Sequence, residues 1–290
     1  GVATRTPAIK ITGRGNYTGT LSSAFNVVGQ APDNLTYSVT DMEYTGFEVT
    51  PNIVIKNGTK TLIKNTDYTV TYSDNVKVGT GYATITFMGN YTGTKVISFN
   101  ILKKDISHCY ISIYSQTYTG SAVTSKPTVK LNSSAATPFV EGTDYTLSYS
   151  NNINVGTATV TITGIGEYLT GSIAVNFNIN PIMASWTTCT FNGTYYYTGF
   201  AIEPEFTLTY GDITFKKNVD YTVSYIDNIE SGYGYAVITG TGTGLSGTVS
   251  RSFYINRLYI GNLTFSDIPD QYYTGSAVTP SVVIKNGSKT

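Results

Sequence analysis

One tripeptide organises this chain. Tyr-Thr-Gly followed by a short apolar segment begins at Tyr44, Tyr118, Tyr197 and Tyr273, a step of about 75 residues. Other landmarks follow each copy in fixed order. Pro51, Pro127, Pro204 and Pro280 come first. Asp67-Tyr68-Thr69-Val70, Asp144-Tyr145-Thr146-Leu147 and Asp220-Tyr221-Thr222-Val223 come next, then Asp74-Asn75, Asn151-Asn152 and Asp227-Asn228. An alternating segment such as Ala83-Thr84-Ile85-Thr86-Phe87 leads into a Gly-rich turn. Each unit closes on Phe99-Asn100-Ile101, Phe177-Asn178-Ile179 or Phe253-Tyr254-Ile255. A repeat of this period is one supersecondary unit copied along the chain, so the fold of one unit is the fold of all.

The landmarks divide the chain into whole units at 31–104, 105–181 and 182–257. Residues 1–30 match only the last part of a unit: Gly15-Asn16-Tyr17-Thr18-Gly19-Thr20 parallels Gly89-Asn90-Tyr91-Thr92-Gly93-Thr94. Residues 258–290 match only the first part and stop at Ile284-Lys285-Asn286-Gly287-Ser288-Lys289-Thr290, the counterpart of Ile55-Lys56-Asn57-Gly58-Thr59-Lys60-Thr61. Starting and stopping in mid-unit predicts a piece of a longer array, in which Gly1 is not a native start.

Each unit alternates apolar and polar residues with period two, and none sustains a 3.6-residue apolar stripe. In the first unit, 35–39, 52–56, 59–63, 68–73, 82–88 and 95–101 read as strands. Asn57-Gly58 and Asn286-Gly287 sit between extended runs and suit the two positive-φ positions of a type I′ hairpin. The predicted class is all-β, an antiparallel sandwich per unit. The links are short: Leu102-Lys103-Lys104-Asp105, Asn180-Pro181 and Asn256-Arg257-Leu258. Short links predict an extended rod, each unit adding roughly 30–40 Å.

Composition removes several function classes. Eighteen basic and eighteen acidic side chains make 12% of the chain, about half the usual share. Binding nucleic acid requires a concentrated basic surface, which is not expected here. No apolar run is long enough for a membrane helix, so no direct membrane insertion is expected. His108 is the only imidazole. Cys109 and Cys189 fall at strand positions matched by Leu35 and Leu263, which predicts thiols used as small hydrophobes. A His108–Cys109 dyad is opposed by alternation, because adjacent strand residues point to opposite faces. The expectation is a non-enzymatic protein without cofactor or metal. Asp67, Asp144 and Asp220, with Tyr68, Tyr145 and Tyr221, recur and are therefore read as structural signals: carboxylates that accept turn amides and tyrosines in the manner of a tyrosine corner. Calcium at Asp67 or Asp74 is the sharper alternative, but a clustered Asp-x-Asp loop is missing. Candidate ligand contacts are the tip-loop tyrosines Tyr17, Tyr91 and Tyr168, against the favoured reading that these rings fold over their own turn or against the next unit.

The succession Tyr-Thr-Gly, Pro, Ile-Lys-Asn-Gly, Asp-Tyr-Thr-Val, Asn, Val-Gly-Thr-Ala-Thr, Gly-x-Gly-x-Tyr-x-x-Gly and Phe-x-Ile resembles a family of bacterial immunoglobulin-like repeats. These stand in tandem in large surface and secreted proteins, notably of Gram-positive gut bacteria, and on structural proteins of their phages. The second unit matches best, with Val155-Gly156-Thr157-Ala158-Thr159; the third departs at Ser231-Gly232-Tyr233-Gly234-Tyr235. The resemblance implies tandem immunoglobulin-like sandwiches forming a stalk or adhesin segment at a bacterial cell surface, with cell-surface glycans or neighbouring copies of the array as partners. Its alternatives are a fibre or arm of a phage virion used in host attachment, and a filament subunit completed by strand addition. Shared fold does not choose among these.

Overall fold

The computed structural model describes residues 6–287; residues 1–5 and 288–290 of the two partial units, Ser288-Lys289-Thr290 among them, lie outside the described residues. Strand makes up 48% of the described residues, about twice the globular average. No α-helix occurs among the described residues, only single-turn 3-10 helices. The protein is all-β, with several sheets consistent with β-sandwich packing.

Contacts gather the chain into two compact units. The first comprises Gly1–Ser112, Pro127–Ser148 and Thr161–Ala174; the second comprises Ile113–Lys126, Tyr149–Val160 and Val175–Thr290. In the first, Thr36–Val39, Ile53–Asn57 and Lys60–Thr61 form a three-stranded antiparallel sheet in that order. A four-stranded sheet runs in the order Met42–Glu43, Thr94–Leu102, Gly79–Phe87, Tyr68–Ser73. In the second unit, Thr188–Phe191, Phe206–Tyr210 and Ile213–Phe215 repeat the small sheet. Tyr195–Tyr196, Thr248–Asn256, Gly232–Gly240 and Tyr221–Ile226 repeat the large one. In the second unit Gln116–Thr117 likewise runs parallel to the end of a closing strand, pairing with Ile179 and Asn180.

Alternation decides which face is core. Along Gly79–Phe87, Ala83, Ile85 and Phe87 are buried while Tyr82 and Thr86 are exposed. They meet Leu35, Ile53, Ile55, Leu62, Tyr68 and Tyr91 in one cluster, and Phe99 and Ile101 join Val49 in another. Burying each large aliphatic side chain contributes about 1.5–3 kcal/mol before chain entropy is counted.

Two expectations change. The sheets are not wholly antiparallel, because Met42–Glu43 runs parallel to Thr94–Leu102. The chain leaves the small sheet after Val39 and crosses to the large one, where it pairs with the closing strand in the same direction. Asp41 fixes that crossing by accepting the Asn100 backbone N–H at 2.9 Å and its side-chain amide at 3.2 Å. The large sheets also curl into half-barrels. The hairpin turn moves as well. Asn57 is itself paired, to Lys60, so the loop is Gly58-Thr59. Gly58 alone has positive φ, 61°, as a type II′ turn requires at its first central position.

The recurring polar residues tie side chains to backbone. Asp67, Asp144 and Asp220 each accept the N–H four residues earlier, from Ile63, Val140 and Lys216, at 2.9, 2.8 and 2.8 Å. Each aspartate's own N–H bonds the carbonyl of that same residue at 2.8 Å. Tyr68 and Tyr145 are buried and donate to the Ile53 and Pro127 carbonyls, at 3.3 and 3.5 Å. Asp74, Asn151 and Asp227 hold φ of 51, 54 and 53°, a conformation that Asp and Asn tolerate best among side-chain-bearing residues. That explains why the two residue types interchange there. The following asparagines close the next gap. Asn75, Asn152 and Asn228 donate to the carbonyls of Val49, Val123 and Ile202 at 2.9, 2.9 and 3.0 Å, and take the backbone N–H of those same residues on their own carbonyls. Tyr72, Tyr149 and Tyr225 donate to Pro51, Ser125 and Pro204 at 2.8, 2.9 and 2.7 Å. Their rings meet Phe99, Phe177 and Phe253 edge-on, at 6.1, 6.4 and 6.2 Å. Burial, followed by the Glu205 carboxylate, pushes the Tyr225 phenol up to about 12, so it stays a donor.

Asn75→Ala leaves the Val49 carbonyl without its side-chain donor, and the expected loss is about 1–3 kcal/mol. Hydrogen exchange at the Val49 amide should accelerate accordingly, with little change at Ile202. Asp74→Val, forced into positive φ, should cost about 1–2 kcal/mol, and Asp74→Gly should be nearly neutral in urea unfolding.

Candidate functional site

The residues that most repay a functional reading are those where one sequence repeat meets the next. Tyr-Thr-Gly is built for this place. Thr45 Oγ1 accepts the Phe47 N–H at 3.2 Å, and Thr119 and Thr198 do the same for Ser121 and Phe200, at 3.4 and 3.2 Å. Between them Gly46, Gly120 and Gly199 adopt φ of 78, 73 and 79°. Threonine closes the turn, glycine permits it, and tyrosine is presented at its start.

In the first compact unit, Lys104-Asp105 pairs in parallel with Leu169-Thr170, and the Lys104 N–H reaches the Tyr168 carbonyl at 2.8 Å. The Tyr44 ring stacks on Tyr168, with centroids 4.7 Å apart and planes at 25°. The end of the Leu131 side chain lies 2.7 Å from where a Cβ on Gly46 would stand and would have to shift for it, but it is the positive φ that favours glycine there. Glu43 anchors the polar side. Its Oε2 meets Lys104 Nζ at 2.7 Å, and its Oε1 accepts the Asp105 backbone N–H and faces His108 Nδ1, each at 2.9 Å. Burial raises the Glu43 carboxyl, but the bonds from Lys104, Asp105 and His108 outweigh it and hold the group below its ordinary 4.5.

The second unit repeats the geometry with other chemistry. Ile182-Met183 pairs in parallel with Leu245-Ser246, and the Ile182 N–H reaches the Gly244 carbonyl at 3.0 Å. The Tyr118 ring lies against Gly244, its Cε1 3.0 Å from the place of an added Cβ. Thr117, Met183 and Trp186 stand where Glu43, Asp105 and His108 stand in the other connector. One connector is thus charged and aromatic, the other apolar. A third such tyrosine, Tyr197, lines an open cleft of about 420 Å³ with Glu230, Arg257, Leu258 and Leu263.

The expected ligand tyrosines separate into three situations. Tyr91 is 3% exposed and packs in the core against Phe87, which withdraws it from any surface site. Tyr168 is half-buried under Tyr44. Tyr17 is 78% exposed. Tyr91 and Tyr168 are also not equivalent. Gln30 bridges Tyr91, whereas Lys104 pairs with Leu169. The structural counterparts are therefore Tyr91, Leu169 and Leu245, all buried, while Tyr168 matches Asn90 and Gly244. The tip of the second unit has one more residue between its glycines, and a one-residue slip turns a strand side chain to the other face.

His108 spends its Nδ1 on Glu43, and the Cys109 thiol points at the Asp105 carbonyl at 4.0 Å. Burial pushes both Cys109 and Cys189 up to about 11. Neither thiol is disulfide-bonded. The Asp67 carboxylate is committed to the Ile63 N–H, and Asp74 serves a turn of positive φ.

No protein-family model matches the chain, and no curated protein does. The connector residues that matter most outside the repeat signature, Glu43, Lys104 and Gly244, differ between units, so comparison of the repeats with one another gave no signal for them. The Tyr-Thr-Gly recurrence was visible; its role in contacting the following repeat was not.

The Glu43 bonds are present above the ordinary carboxylate range and are lost as pH falls through its lowered value. Exchange protection of the Asp105 amide should therefore hold from neutral pH to below 4.5, then collapse, whereas Glu43→Gln should show weaker protection at neutral pH and lose this pH dependence. Both thiols, at about 11, should alkylate at pH 8 more slowly than free cysteine by about a hundredfold; urea should abolish that difference.

Proposed function

We propose that this chain is a non-enzymatic structural segment of a large bacterial extracellular surface protein. Its immunoglobulin-like repeats stand in tandem as an extended rod that holds a distal binding tip away from the cell. The observation that carries this reading is the connector, made twice from the same Tyr-Thr-Gly turn and the same short parallel pairing. A flexible string of modules has no need of a glycine-dependent turn at each boundary that seats a tyrosine on the next repeat. A spacer does, because its task is to keep a separation against chain entropy. Recurring polar residues spent on backbone carbonyls and amides, as at Asp67, Asn75 and Tyr72, agree with the same purpose.

The test is a distance distribution. Labels on the first and third whole repeats should give a narrow spread at about 60–80 Å if each repeat rises 30–40 Å. Tyr44→Ala with Tyr118→Ala should broaden the distribution and shorten its mean while each repeat stays folded. A broad distribution in the wild type would overturn the spacer reading, as would failure of antibodies to reach the chain on intact producing cells.

A further inference from the structure

The third whole repeat differs from the others on the outer face of its large sheet. Alternation puts Tyr233 and Tyr235 on the outside of Gly232–Gly240, and Ser252 and Tyr254 on the outside of Thr248–Asn256. Tyr233 stands directly across from Tyr254, with ring centroids 5.2 Å apart and planes at 74°. Tyr196 pairs with Asn256 beside them. Tyr233, Tyr254 and Tyr196 are 64, 51 and 53% exposed.

The fold does not demand these rings. The registers around Gly79, Gly156 and Gly232, and around Phe99, Phe177 and Phe253, identify the matching positions. Thr80 and Thr157 stand for Tyr233, Asn100 and Asn178 for Tyr254, and Glu43 and Thr117 for Tyr196. Two repeats make the same sheet with threonine and asparagine, so the exposed aromatic cluster is an addition to it. Exposed apolar clusters of this kind mark binding surfaces.

The chemistry of the cluster selects its ligand. Two rings near a right angle form a corner whose walls are π faces and whose rim carries phenol hydroxyls and the Ser252 hydroxyl; the Asn256 amide is spent on the Tyr195 carbonyl at 3.0 Å. Arg251 is the one charged side chain in Tyr221–Ile226, Gly232–Gly240 and Thr248–Asn256. It faces away, donating to the Ser185 and Thr187 carbonyls at 3.3 and 2.7 Å. The outward positions of these three strands therefore carry no cation for a polyanion to pair with. Ile226, 50% exposed and paired with Tyr235, extends the cluster by one side chain; beyond it the face carries Thr222, Ser224, Thr239, Ser250 and Ser252, so it lacks the broad apolar core of a protein interface. Pyranose rings fit both demands: their weakly positive C–H faces lie on the negative π face, and their hydroxyls find neutral hydrogen-bonding groups. We infer that the outer sheet face of the third repeat binds a neutral polysaccharide, with one sugar ring seated in the corner between Tyr233 and Tyr254. This extends the surface-spacer reading by placing a ligand on its flank, and it is tested separately because neither tyrosine belongs to a connector.

The test uses the whole 290-residue chain in affinity electrophoresis through mannan, galactomannan and mixed-linkage β-glucan, with heparin and polygalacturonate as anionic controls. At least one neutral polymer should retard the chain. Tyr233→Thr with Tyr254→Asn, the pair that the second repeat carries, should weaken binding by about tenfold or more while the circular dichroism spectrum and unfolding midpoint stay unchanged. Thr157→Tyr with Asn178→Tyr should strengthen retardation by adding a second corner. Retardation by the anionic polymers alone, none by any neutral polymer, or full binding by the double variant would each overturn the proposal. Concentration-dependent association that the double variant abolishes would overturn it in favour of self-association. In each case the label-distance result for the connectors would stand unaffected.

Discussion

The structure depends on side chains that hydrogen-bond to backbone across gaps that strand pairing leaves open. A repeat of about 75 residues has little core, and among the described residues neither an α-helix nor a disulfide reinforces it. Its strands change sheet, and every change exposes carbonyls and amides that must find partners. Asn75, Asn152 and Asn228 meet that need at one crossing, Asp67, Asp144 and Asp220 at another, and Asp41 at a third. Each bond stabilises modestly when made, but an unmet buried carbonyl or amide costs more than the bond gains. That asymmetry is the physical reason these polar residues recur more faithfully along the chain than many apolar ones.

The connectors follow the same logic with a different outcome. The turn is fixed by Thr-Gly chemistry, and the parallel pairing by backbone alone, so both connectors share a geometry. The side chains on that geometry are free to vary. Glu43, Lys104, His108 and stacked tyrosines make one connector polar; Thr117, Ile182, Trp186 and Gly244 make the other apolar. Tyr44 and Tyr118 contact the following repeat in both cases. Their partners are an aromatic ring in one and a bare Cα in the other, and only the latter leaves room for a ring to approach the backbone closely.

The same division between fixed frame and variable surface frames the proposed polysaccharide corner. The inward residues Phe99, Phe177 and Phe253 are constant because each fills the same space against a tyrosine edge. The outward neighbours differ: Asn100 gives its amide to Asp41, Asn178 stands in the second repeat, and the third repeat carries the exposed Tyr254 there.

Much of this was legible in the sequence, because it follows from local rules. Period-two alternation located Tyr68–Ser73 to the residue and the neighbouring strands to within about three residues. The repeated Asp-Tyr pairs read as structural signals, and Asp67, Asp144 and Asp220 accept backbone N–H groups four residues earlier; the Asp-Asn pairs were visible only as landmarks. What the sequence left open was decided by partners distant along the chain. Asn57-Gly58 satisfied a two-residue turn on paper, but pairing of Asn57 with Lys60 moved the loop to Gly58-Thr59. Tyr91 and Tyr168 occupied similar motifs, but one extra residue in a tip put one ring in the core and the other beneath Tyr44. The antiparallel expectation failed at Met42–Glu43, because strand direction is set by which sheet the chain joins. Sequence by itself determined the all-β class and the repeating turns, which depend on each residue and its near neighbours. Tertiary structure alone decided register, facing and contact, since in a sheet a displacement of one residue exchanges inside for outside.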